Sequence, residues 1–301
     1  MLLLLKYLRR LWRERRAPAT RAPSASAPDT PVAGRAGRSA AARGPIALLA
    51  HQVRYDLRAG LRNPRARFFT FFFPVVLLVI FAGVFHGNTT VAGVHIKLSR
   101  YFVAGILAMS IVFASYANLV IQLATLRESG VLKRRRATPV RPVVLIASQA
   151  ICTVVTAAVM TALLLVLARL LYGIGMSPGA IAAIACTAGL GALCFACIGY
   201  AVSGLIGSPD AAQPIVQATT MPLWFISGVL IPTQNVTGAL RTIGSIFPVA
   251  HLANGLHLAS IGTSFTSAIS IENLVVLAAW GLAAAIFAAW RFSWLPSTAT
   301  P

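Results

Sequence analysis

Six stretches of the chain, residues 68–85, 101–124, 143–167, 180–206, 214–231 and 271–290, are nearly unbroken runs of apolar side chains. About 20 such residues, wound as a helix, cross the hydrocarbon of a bilayer. Lipid offers no hydrogen bonds to an exposed backbone, so a lone crossing segment of this kind has to be helical. The pattern predicts an all-α integral membrane protein with six transmembrane helices. Composition agrees: only 11% of residues are charged, against roughly 25% in soluble domains.

The charge is one-sided. Twenty-six Lys and Arg stand against six Asp and Glu, and 15 of the basic residues precede Phe68. A basic head on an apolar body is not the basic patch of a nucleic-acid-binding domain, so membrane lipids rather than nucleic acid are the expected partners. The carboxylates Glu14, Asp29, Asp56, Glu128, Asp210 and Glu272 stand singly. No local motif pairs an acid with a base, and no catalytic residue is expected. Cys152, Cys186, Cys194 and Cys197 all fall inside apolar runs and read as small helix residues. The spacing of Cys194 and Cys197 resembles a metal motif, but their neighbours Ala192, Ala196 and Gly199 suit close helix packing. His251 and His257 have no acidic neighbour and do not share a helical face, so no metal site is predicted.

Residues 1–16 place leucines before a basic cluster, the reverse of a secretory signal, and residues 17–44 hold almost no large apolar side chains. Residues 1–45 therefore read as a basic, mostly disordered extension. Across 46–67 the period turns helical, with Ile46, Leu49, Val53, Leu57 and Leu61 in one stripe and Arg54, Arg58, Arg62 and Arg65 beside it. This predicts an interfacial connecting helix ahead of a transmembrane domain over 68–294 and a tail over 295–301. Residues 232–270 are cut by Pro232, Gly238, Gly244, Pro248, Gly255 and Gly262 into pieces too short to span. They predict two short external helices, 239–246 and 249–260, that dip into the bilayer without crossing. With the amino terminus inside, 22 basic residues lie on the cytoplasmic side and four outside, which puts both termini in the cytoplasm.

The loop between the second and third runs reads Arg127-Glu128-Ser129-Gly130, two apolar residues, then Lys-Arg-Arg-Arg-Ala-Thr-Pro over 133–139. Thr125 and Glu128 have capping-box spacing, and Pro139 closes the segment, so a short capped helix is expected. This loop resembles the cytoplasmic coupling loop of ABC-2 type export permeases, the membrane subunits of ATP-binding cassette transporters. A second resemblance lies in Ile226-Ser227-Gly228-Val229-Leu230-Ile231-Pro232 and the later Phe247-Pro248-Val249-Ala250-His251-Leu252, similar to that family's exit from the fifth span and its phenylalanine-proline element. With the span order, the likeness runs over 46–294.

The resemblance implies that Arg127, Glu128, Gly130, Lys133, Arg134 and Arg135 contact a separate ATPase subunit. It also implies a second permease copy or a sister permease, and a bacterial plasma (inner) membrane location. The sequence holds no Gly-x-x-x-x-Gly-Lys-[Ser/Thr] loop, so ATP and Mg are expected on the partner and no cofactor on this chain. The family's central cavity would involve spans two and five. There Ser115, Asn118 and Gln122, and Gln213, Gln217, Thr220 and Trp224, are candidates for a substrate path. Interhelical hydrogen bonding is the alternative use of such residues. The uncharged, aliphatic spans suit a lipophilic cargo such as a drug, antibiotic or lipid. A different class, an ion-coupled secondary transporter or channel, would call for a charged group inside a span, and none is apparent.

Overall fold

A computed structural model of the chain describes residues 45–62, 68–128, 142–206, 208–232 and 237–291. The first helix, α1 (Pro45–Arg62), carries the predicted stripe: Leu49, Val53 and Leu57 are partly buried while Arg54, Arg58 and Arg62 are exposed. It packs along α5 (Pro142–Tyr172). The head before residue 45, Arg65 and the tail after Arg291 lie outside the described residues.

The first apolar run forms a π-helical turn, Phe68–Phe72, followed by α2 (Phe73–Val84). The chain then makes a hairpin, β1 (Asn88–Val91) and β2 (Val94–Lys97), that the apolar pattern gave no reason to expect. Ala92 and Gly93, both at positive φ, form its turn.

The second run is one continuous helical stretch, Leu98–Glu128, built from α3 (Leu98–Val112), a π segment at Phe113–Ala117 and α4 (Asn118–Glu128). It is the centre of the bundle: 89% of its apolar window is buried, against 22% for Ile271–Trp290. Then follow α5, α6 (Pro178–Ser203), α7 (Pro209–Ile226), α8 (Gly238–Ile246), α9 (Pro248–Ile261), a single turn α10 (Phe265–Ala268) and α11 (Ile271–Arg291).

Helix starts follow the sequence chemistry. Ser177 and Ser208 cap α6 and α7, each accepting a backbone N–H from three residues on, and a proline occupies the next position in both. Asp210 and Glu272 sit in the first turns of α7 and α11, where the helix dipole favours a carboxylate.

Among the described residues, four helices are long and apolar enough to cross a membrane: Leu98–Glu128, Ala147–Tyr172, Pro178–Ser203 and Ile271–Trp290. The first run yields only the shorter apolar helix Thr70–Val84. The fifth ends at Ile226 rather than 231, because Gly228 takes φ +74 and turns the chain. The outer faces of α5 and α11 expose Val159, Val166, Leu170, Val275, Leu282 and Ile286. Surfaces this apolar suit lipid tails. Inside, small residues bring helices together. A Cβ on Gly281 of α11 would lie 3.2 Å from the Cα of Cys194 in α6, which accounts for Cys194 as a packing residue.

Candidate functional site

Three clusters hold the polar chemistry of the bundle. The first lies at the end of Leu98–Glu128 that precedes the basic loop. Thr125 is within α4, not at a helix start, and its hydroxyl donates to Ile121 O at 2.8 Å. The expected capping box with Glu128 is therefore absent, because the second run stays helical through Glu128 instead of stopping before Thr125. Arg127 is buried, and its guanidinium Nη1 donates to Ser203 O at 2.8 Å and Ile206 O at 3.2 Å. These carbonyls close the end of α6, where a helix leaves acceptors unpaired and its dipole is negative. Glu128 is exposed. Gly130, Lys133, Arg134 and Arg135 lie outside the described residues.

A second buried charge, the carboxylate of Asp56, lies on α1. It accepts from Gln52 Nε2 at 2.9 Å and from Ser148 Oγ of α5 at 2.8 Å, and it lies within electrostatic reach of Tyr200 in α6. Sequence reasoning missed it. The signal was present: Asp56 follows Val53 by three residues and so shares the apolar stripe of α1, where a carboxylate needs partners.

The second cluster joins α7 to the central stretch. Along α7 the buried residues are Ala212, Val216, Thr220 and Trp224. Trp224 packs on Phe113 of the π segment with ring centroids 5.0 Å apart. Its indole N–H has no hydrogen-bond partner among the described residues. Tyr116 and Thr219 share a hydroxyl contact of 3.0 Å. Of the glutamines on this helix, Gln213 is exposed and half-buried Gln217 lines a groove of about 400 Å³ with Ala218, Met221, Pro222 and Phe225.

The candidate path residues thus divide. Ser115 and Thr220 donate back to Ile111 O and Val216 O within their own helices. Asn118 donates to Thr70, and Gln122 accepts from Gln149 Nε2 at 3.1 Å, so both join helices. Of the seven, Gln213 is exposed and Gln217 lines the groove.

The third cluster sits at the opposite end, around the turn at Gly228. Tyr101 donates to Gly228 O and, at 3.2 Å, to Ile231 O. His257 of α9 donates to Gly228 O from Nε2 at 3.1 Å. Burial pushes the His257 imidazole down to about 4, so it stays neutral. Its other ring nitrogen has no partner among the described residues. His251 meets Ser245 O and Asn273 Oδ1, each at 2.9 Å. Arg100 donates to Gly175 O and Ser260 O, fastening the α5–α6 connection to the end of α9.

Long apolar helices around a buried central stretch, polar clusters at their two ends and lipid-suited outer faces define a multi-pass helical membrane protein. The chain belongs to the family described as ABC-2 family transporter protein, whose model matches residues 96–290. It is therefore the membrane permease of an ABC transporter, a transport subunit rather than a catalytic one, and works with an ABC ATPase subunit. A comparison with curated proteins gave no match.

Proposed function

We propose that this chain is one half of the translocation pathway of an ATP-driven exporter that moves a lipophilic compound, a drug, antibiotic or lipid-like molecule, out of a bacterial cell. The observation that carries the reading is the family match over 96–290, which spans the basic loop after Arg127. In this reading the loop docks on the ATPase, which holds ATP and Mg, while the permease chain holds neither. A second permease copy or a sister permease supplies the other half.

Six passes through the plasma (inner) membrane, with both termini cytoplasmic, are supported by helix direction. Arg127 ties the end of Leu98–Glu128 to the end of α6, and Tyr101 near its start meets the turn that ends α7. Tyr172 at the end of α5 donates to Val79 O of α2 at 3.0 Å. The central stretch and α6 therefore end on one side and α7 ends on the other, and α5 ends beside the latter half of α2, as alternating passes require. In this arrangement α8 and α9 are external, re-entrant helices. The face of α7 that bears Gln213 and Gln217 would line the pathway toward the partner half.

The test is transport into inverted membrane vesicles that contain the permease and its ATPase. Tetraphenylphosphonium and a fluorescent phospholipid serve as lipophilic probes. Movement of either that requires ATP and stops with vanadate is expected. Movement abolished by a protonophore and indifferent to ATP would favour an ion-coupled secondary transporter instead.

A further inference from the structure

One side chain near the end of α4 reaches the connection that leads from α6 to α7. Arg127 is the last buried residue before the loop, and it holds Ser203 O and Ile206 O together. Ile206 stands two residues before Ser208, the cap that starts α7. From Ser208 the buried stripe Ala212, Val216, Thr220 and Trp224 leads to the π segment of the central stretch. On its other side the same end of α6 is near Asp56, which is hydrogen-bonded to α5.

We infer that Arg127 is a positioning residue that carries displacement of the α4 terminus to α7 by gripping the carbonyls of Ser203 and Ile206 where α6 leads into α7, and that it does not touch the ATPase. The inference rests on the exporter reading above. The physical reason is the geometry of the grip. A guanidinium offers several donors in a fixed plane, and here one nitrogen serves two carbonyls on either side of the helix end. A charge-assisted bond to helix-terminal carbonyls is stronger than a neutral one, and the buried setting keeps water from replacing it. A shift of the α4 terminus must then either move the start of α7 or break those bonds. The sequence alone puts Arg127 in the docking set with Glu128. Burial separates the two, since Glu128 is exposed and Arg127 is not.

The experiment uses the permease purified with the ATPase it carries from its host membrane. The four cysteines are replaced by alanine and one cysteine is introduced at Gln217. A fluorescent maleimide reports the labelling rate with no nucleotide and after trapping with ATP and vanadate. The parent should change by at least about fivefold between the two states, the lower end of usual coupling. Arg127→Met should fall below about twofold while still holding the ATPase, and Arg127→Lys, which reaches a single carbonyl, should lie between.

A full parental response in Arg127→Met overturns the inference. Loss of the ATPase from Arg127→Met also overturns it and returns Arg127 to the docking surface. If Arg127→Met does not insert, Arg127→Lys decides: an intermediate response supports the inference and a parental one overturns it. A parent that carries no ATPase, or shows no nucleotide response, removes the exporter reading itself.

Discussion

The rings of Tyr101 and His257 stack with centroids 4.1 Å apart, and both side chains donate to the carbonyl of Gly228. That carbonyl belongs to the turn that ends α7, so two helices hold the turn from the same side. His257 donates through Nε2, which leaves Nδ1 as the site that acid would protonate. Burial lowers its pKa from 6.5 to about 4. A lowered histidine pKa means that the unfolded chain binds the proton more readily. The contribution is complete above pH 6.5 and is lost as pH falls toward 4, by about 3 kcal/mol at most. The thermal midpoint in detergent should therefore drop from pH 7.5 to 4.5, and His257→Gln should drop less over the same range. Equal slopes would contradict the neutral assignment.

Gly105 meets the same turn from the central stretch. A Cβ there would stand 2.0 Å from Val229 O, a backbone atom that cannot swing aside. Gly105→Ala should lower stability by about 1–3 kcal/mol, the usual cost of overpacking. The check is the fraction of monodisperse protein after mild heating, with Gly60→Ala as the control, since a Cβ at Gly60 meets nothing within 4 Å. Equal recovery of the two variants would mean that the turn does not pass over Gly105.

Asp56 ties α1 to α5 through Ser148. Asp56→Ala leaves the donors Gln52 and Ser148 without that acceptor and should cost about 1–3 kcal/mol, whereas Asp56→Asn retains one acceptor oxygen and should cost less. Limited proteolysis near Arg58 and Arg62 on α1 is the measurement. Faster cleavage in Asp56→Ala than in Asp56→Asn is expected, and equal rates would remove Asp56 as the tie.

What the sequence made legible is what hydrophobic length and proline-glycine punctuation encode. The four long spans overlap their predicted runs: Ile271–Trp290 coincides with its run, and the other three pass the bounds of theirs by a few residues. The short helices predicted over 239–246 and 249–260 appear as Gly238–Ile246 and Pro248–Ile261. What stayed hidden depends on partners far along the chain. Arg127 looks like any loop arginine until Ser203, 76 residues away, is beside it. Tyr101 and His257 meet only once α9 folds back. The π segments at Phe68–Phe72 and Phe113–Ala117 keep the same apolar composition as an α-helix, so periodicity does not reveal them. The early end of α7 rests on one backbone angle, that of Gly228.

Single cysteines introduced at Asn88 and Ser129 test orientation. In intact cells a membrane-impermeant maleimide should label the first and not the second, because the proposed topology puts the basic loop on the cytoplasmic side. The opposite pattern would invert the proposed topology.

The most direct test of the exporter reading is vanadate-sensitive ATP hydrolysis per mole of purified permease. The parent chain is compared with a variant in which Glu128, Lys133, Arg134 and Arg135 are alanine. The parent should carry the activity on a separate polypeptide. The variant, at equal membrane abundance, should lose on the order of tenfold, the consequence of about 1.4 kcal/mol of lost association. Parental activity in the variant, or none in the parent, would contradict the account.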